Sequence, residues 1–212
     1  MTLQNRVTPF NQIVAEPVRG LFMGNRGVLH GRSRSLTRRR WTTRAWIVCL
    51  LSFKGRHRTV MTPGRYTELF FLDEATAFAA GHRPCAECRR ADYLRFKNAW
   101  IAANLPEQAG SHVPVGEVDR VLHADRLTAD GRQRRFAAKI GELPDGALVS
   151  LPGKNEAWLI ADGQAWRWTA DGYRDPERWS ENREVEVLTP RSTVRALAAG
   201  YGPVLHPSVP LQ

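Results

Sequence analysis

The chain has 212 residues, 42% of them hydrophobic and 25% charged, with a formal net charge of +10 and three cysteines. That length buries a core as one large domain or two small ones, while the longest early apolar run, AWIVCLL at 45–51, is too short to span a bilayer. The opening residues MTLQNRVTPF lack the basic region and apolar core of a secretory signal, and an odd cysteine number argues against a disulfide framework. The expected compartment is therefore the cytoplasm, with no membrane partner.

The first 40 residues read as irregular and rich in Gly and Arg. Residues 1–65 carry 13 Lys or Arg against a single acid, Glu16, and no acidic side chain occurs between Pro17 and Thr67. Residues 66–100 hold five groups of each sign, and residues 101–212 hold 13 basic and 15 acidic groups, so the excess charge sits at one end. Seven arginines fall between Arg26 and Arg44, beside Trp41 and Trp46. Guanidinium groups bind phosphates bidentately and release counterions, and aromatic faces stack on bases; the pattern suits a nucleic acid, DNA or RNA. The candidate contacts are Arg26, Arg32, Arg34, Arg38, Arg39, Arg40, Trp41, Arg44, Lys54, Arg56 and Arg58. The plainer reading is a solvated arm, or one that meets a protein partner.

Next, RAWIVCLLSFKG (44–55) reads as a buried strand and RYTELFFL (65–72) as a second one after the turn TPG. DEATAFAAG (73–81) is a compact helix with Asp73 as N-cap and Gly81 as its stop. A longer helix is expected over 86–104, with Tyr93, Phe96, Trp100 and Ile101 on one face. After the linker NLPEQAGSHVPVGE, VDRVLHADRL fits a strand or a short helix. RRFAAKI, GALVSL, AWLIADGQAWRWT and REVEVL read as strands, with Asp162-Gly163 a tight turn, and STVRALAAG as a closing helix. AFAAGHRP (77–84) resembles ALAAGYGP (196–203), which shared helix-stop chemistry explains without duplication. The expected fold class is α+β: residues 1–111 as a small zinc-knuckle module with an Arg-rich arm, and residues 112–212 as a mostly β module with a C-terminal helix. The aromatic residues Trp158, Trp166, Trp168, Tyr173 and Trp179 of that second module read chiefly as core, with a base-stacking platform as the alternative.

Cys85 and Cys88 form a C-x-x-C where the second helix is expected to open. Two thiolates on such a turn reach one ion, and zinc completes a tetrahedron with sulfur or imidazole ligands. Cys49, in the first strand, is the candidate third ligand and His57, past Gly55, the candidate fourth; His82 and His30 compete for that place. A helix N-terminus also lowers thiol pKa, which would suit a redox pair, but thioredoxin-like pairs follow a strand and this one follows a Gly-capped helix.

The run LFFLDEATAFAAGHRPCAECRR resembles the zinc-binding module of the Ada family of DNA methyl-phosphotriester repair proteins, over about residues 69–90. Gly81, Arg83, Pro84, Cys85 and Cys88 match that family's motif, with His82 in place of its tyrosine. The family places a further Cys or His and a Cys four positions apart before the motif, whereas Ala45 and Phe53 flank Cys49 here; a four-cysteine site is excluded. The resemblance implies zinc binding, and methyl transfer would carry over only to Cys49. A looser likeness along most of the chain, to a bacterial family, implies no function.

Zinc nucleobase deaminases join an H-x-E to P-C-x-x-C. PCAEC supplies half of this, and His123 with Asp125 imitates the other half in the reverse chain order and one methylene short. The leading expectation is thus a zinc-binding, nucleic-acid-binding protein whose metal is structural, with no catalytic residue assigned. The alternatives are a zinc-dependent enzyme acting on nucleic acid, through Cys49 or through His123 and Asp125, and a regulatory protein-interaction module.

Overall fold

The computed structural model describes residues 2–56 and 59–210. Among these it has four α-helices and two six-stranded sheets, a mixed α+β architecture dominated by sheet. None of these helices is long and apolar enough to cross a membrane.

The first sheet comprises β1 (Arg6–Val7), β2 (Ile13–Val14), β3 (Phe22–Asn25), β4 (Ile47–Leu50), β5 (Leu69–Phe71) and β6 (Arg83–Pro84), in the spatial order β2-β1-β5-β3-β4-β6. Three of these strands lie in the stretch expected to be irregular. Two of them, β1 and β2, have only two residues, too few to show periodicity, so only their partners reveal them. The arginine-rich stretch is likewise a pinned loop: the Thr42 N–H donates to the Arg26 carbonyl at 2.8 Å and the Thr37 N–H to Leu29 at 2.8 Å, while His30 bridges to Leu36.

Helix α1 (Glu74–Ala79) starts as expected, Asp73 accepting from the Thr76 N–H at 2.8 Å. It stops at Gly81, whose φ of +83° disfavours any L side chain. The Gly81 and His82 N–H groups donate back to Phe78 and Ala77, and after α4 (Arg191–Ala198) Gly200 and Tyr201 do the same to Leu197 and Ala196. The two similar octapeptides are therefore the same helix stop used twice. Helix α2 (Arg90–Asn104) begins later than expected because residues 85–89 form a turn of their own. VDRVLHADRL resolves into α3 (Val115–Arg126).

The second sheet runs β11-β10-β9-β8-β12-β7, built from β7 (Phe136–Lys139), β8 (Leu148–Ser150), β9 (Ala157–Ala161), β10 (Gln164–Thr169), β11 (Gly172–Glu177) and β12 (Glu184–Val187). Asp162 and Gly163 both take positive φ, +51° and +66°, as a two-residue hairpin turn requires. Strand alternation gives this sheet two dry faces: Ala157, Leu159 and Ala161 pack toward α1, whereas Trp158 and Ile160 pack with Val185 and Trp179 on the other side. The β-module aromatics are packing residues, Tyr173 and Trp158 being buried and Trp166 and Trp168 resting on the α1 cluster.

Apolar packing crosses residue 112 at two places. Ala196, Leu197 and Tyr201 join Phe78, Phe96 and Trp100 in the cluster beneath the first sheet. Leu72, Ala75 and Ala79 join Leu148 and Leu159 beneath the second. Every residue of α1 is buried, including Glu74, whose carboxylate takes Arg89 at 2.7 Å, the Tyr201 hydroxyl at 2.9 Å and the Val204 N–H at 2.9 Å.

Candidate metal centre

Parallel pairing of β4 with β6 sets Ile47 beside Arg83 and Val48 beside Pro84, and the Cys85 N–H donates to the Val48 carbonyl at 2.9 Å. The next residue on each strand is a cysteine. The turn after Cys85 brings Cys88 back, so the ligand atoms of Cys49, Cys85 and Cys88 all lie within 4.8 Å of one another. A tetrahedral zinc with sulfurs at about 2.3 Å requires such convergence. Thus the three thiols expected to share an ion are brought together from two places in the chain, β4 and the turn that follows β6.

The polar surroundings favour thiolates. Cys85 is pushed down to about 5, first by the proton it shares with Cys49 and then by the N–H groups of Cys88 and Glu87; the latter stands 3.4 Å from its sulfur. Cys88 is also lowered, by Cys49 first and with support from the Leu50 N–H. Cys49 is pushed up, because its proton bridges to the other two sulfurs and because it is buried. A divalent cation would replace that proton. Cys49 and Cys85 are buried and Cys88 is half-buried; all three line a cleft of about 460 Å³ walled by Met23, Leu50, Leu51, Phe53 and Phe70.

His57 lies outside the described residues. Its competitors are occupied elsewhere: His30 faces the Thr67 hydroxyl at 2.6 Å and the Thr62 carbonyl at 3.1 Å, and His82 accepts from Arg26 Nε at 3.2 Å. Among the described residues, the three cysteines are the one group of three or more His, Cys, Asp or Glu placed to hold a metal. His123 and Asp125 face different neighbours: His123 Nδ1 meets Arg126 at 2.7 Å, and Asp125 caps α4 through the Ser192 N–H and hydroxyl at 2.6 and 2.7 Å.

The basic candidates divide. Arg32, Arg34, Arg38, Arg39, Arg40, Arg44, Lys54 and Arg56 are exposed, and Arg56 pairs with Glu87 at 2.7 Å beside the cysteine turn. Arg58 lies outside the described residues. Trp41 is half-buried against Trp46 and His123, with ring centres 6.1 and 5.5 Å apart. Arg26 differs from the rest: it is 1% exposed and stacked at 4.0 Å on the buried Trp46 ring, which Arg126 also approaches at 4.0 Å.

Sequence reasoning missed the arginines that brace the site. Arg83 grips Asp119 of α3 through two bonds of 2.7 and 2.8 Å, both groups buried. Arg126, pushed down to about 9 chiefly by burial, donates to the Gly81 carbonyl at 2.8 Å. The run GRQRRF (131–136) was a visible basic signal, and Arg132 and Arg135 share a cleft with Arg38, Arg39 and Arg40. No protein-family model, curated protein or solved structure matches this chain.

Proposed function

We propose that the chain binds one zinc ion through Cys49, Cys85 and Cys88, and that its basic N-terminal half binds nucleic acid while the metal ties β4 to the turn before α2. The convergence of three sulfurs within 4.8 Å carries the metal assignment. Three thiolates are a soft donor set, which suits zinc and disfavours magnesium or calcium. The run of residues 17–67 without an acid supports the nucleic-acid assignment, together with the exposure of most of its arginines. The Ada-like motif is consistent with both, since Gly81, Arg83 and Pro84 each serve to place Cys85.

Two measurements test this reading. Purified wild type should hold about one zinc per chain, and Cys49→Ala or Cys85→Ala should lose it; a Cys49→Ala protein with full zinc rejects the site. Binding to a DNA or RNA oligonucleotide weakens with salt by about 0.9 log units per decade for each phosphate neutralised on a duplex. A flat salt response rejects the nucleic-acid assignment.

One observation favours a second reading, in which a thiolate is a nucleophile. The sulfurs line a cleft with apolar walls, so a small alkyl group on a phosphate oxygen can approach them. The thiolate would attack the methyl carbon, the carbon–oxygen bond would break, and the phosphodiester would leave as its anion. After incubation with a methyl phosphotriester, a cysteine peptide heavier by one methylene supports this reading; unmodified peptides reject it.

A further inference from the structure

Two clefts adjoin where the 26–42 loop meets the turn at 128–132. The first, of about 560 Å³, is lined by the exposed Arg38, Arg39, Arg40, Arg132 and Arg135, and among the described residues no acidic side chain lines it. The second, of about 530 Å³, is lined by Trp41, His123, Asp130 and Gly131. Consecutive residues divide between them: Arg40 and Arg132 line the first, Trp41 and Gly131 the second. Loop and turn are in contact at that seam, since a Cβ on Gly131 would stand 3.3 Å from the Trp41 ring.

Both segments hold their shape through backbone bonds. The Thr42 N–H donates to the Arg26 carbonyl and the Thr37 N–H to Leu29, each at 2.8 Å, and the Thr128 N–H donates to the Arg132 carbonyl at 2.9 Å. The arginines are therefore presented on an ordered surface, which lowers the entropic cost of a contact. Among the described residues no salt bridge engages Arg38, Arg39 or Arg40. Arg132 pairs with Asp130 at 2.9 Å and Arg135 with Glu186 at 3.3 Å. Those pairs lie at the surface, where a carboxylate holds a guanidinium only weakly and a phosphate can take its place. Five guanidiniums thus face two carboxylates, and a half-buried indole stands beside them.

We infer that a single strand of nucleic acid lies across this seam, its phosphates on Arg38, Arg39, Arg40, Arg132 and Arg135 and one unpaired base against Trp41. A basic groove that follows the backbone, with an aromatic ring beside it, is the arrangement that holds single strands. A duplex keeps its bases stacked inside and would leave Trp41 without a partner. The inference rests on the nucleic-acid reading proposed above and deepens it: it gives the contact an address, recruits arginines from beyond residue 112, and selects single strands over duplexes.

Fluorescence anisotropy of the full chain with a labelled oligothymidylate, and with the duplex it forms with oligoadenylate, tests the inference. R39Q/R40Q and R132Q/R135Q should each weaken single-strand binding about tenfold and lower the salt slope by about 1.4, at about 0.7 per phosphate. The charge-matched control R19Q/R65Q removes two exposed arginines that line neither cleft, and should change binding far less. Trp41→Leu should cost about 5- to 150-fold on the oligothymidylate and leave binding to an abasic strand of the same length unchanged. The inference is overturned if R19Q/R65Q weakens binding as much as the cleft variants do, if Trp41→Leu weakens both strands equally, or if the duplex binds more tightly than the single strand. Each of those results leaves the broader nucleic-acid reading standing, whereas a wild type that binds neither strand nor duplex removes both.

Discussion

Replacing Asp119 with Leu isolates the contact that holds the cysteine turn from behind. Asp119 accepts both Nε and Nη2 of Arg83 at 2.7 and 2.8 Å, and the side chains are 6% and 8% exposed. Without the carboxylate, Arg83 is left as a buried cation whose remaining bond is to the Pro84 carbonyl, at 3.0 Å. Removing one partner of such a pair costs about 3–5 kcal/mol. At about 2–4 °C per kcal/mol for a chain of this size, Tm should fall by about 6–20 °C. Replacing both groups, as in R83M/D119L, removes the stranded charge and should regain most of that loss. Urea denaturation of wild type, both single variants and the double variant closes the cycle. Because β6 carries Arg83 two positions before Cys85, zinc affinity should follow the same order. If D119L alone costs under about 1 kcal/mol, or if the double variant is as unstable as D119L, the pair is not a coupled brace and the reasoning fails.

Gly24→Ala should be severe, because a Cβ there would stand 2.1 Å from the Ile47 carbonyl oxygen and force β3 from β4; a loss of about 1–3 kcal/mol is expected, with weaker zinc retention, and a wild-type melt would count against the β3–β4 register. His82 is buried and held neutral, its pKa depressed first by burial and then by Arg26 and Arg126. The unfolded chain therefore binds the extra proton, and stability should fall as pH drops below about 6.5; His82→Gln should flatten that slope, and equal slopes refute the assignment. Since Cys85 is lowered to about 5, Cys88 is lowered and Cys49 is raised, zinc loading at pH 7 should release fewer than three protons per ion, measured by calorimetry in buffers of different ionisation enthalpy.

Where local chemistry decides, the sequence was informative. Asp73, the alanines and Gly81 specify α1 within nine residues, and Asp162-Gly163 specifies a hairpin. Cys49 was legible as a ligand because a β-branched, aromatic strand of one register buries it near a C-x-x-C. What escaped depends on partners distant in the chain. Strand β6 is two residues, Arg83 and Pro84, and exists only through β4. Strand β11 carries Pro176 and three charges, which read as a loop; as an edge strand it tolerates both. Arg26 sits among exposed arginines, and nothing in its neighbours signals that Trp46 and His82 will enclose it.

Helix α1 has a consequence for the modularity of this chain. Six residues are too few to hold a helix in water, and this one is wrapped by strands from both halves and tethered by the C-terminal tail through Tyr201 and Val204. Neither sheet could be transplanted into another protein with its packing intact: the first would surrender Ala196, Leu197 and Tyr201, and the second would lose Leu72, Ala75 and Ala79. Recombination at the loop around residue 112 should therefore yield insoluble halves, and the cysteine centre and the arginine cleft would be inherited together.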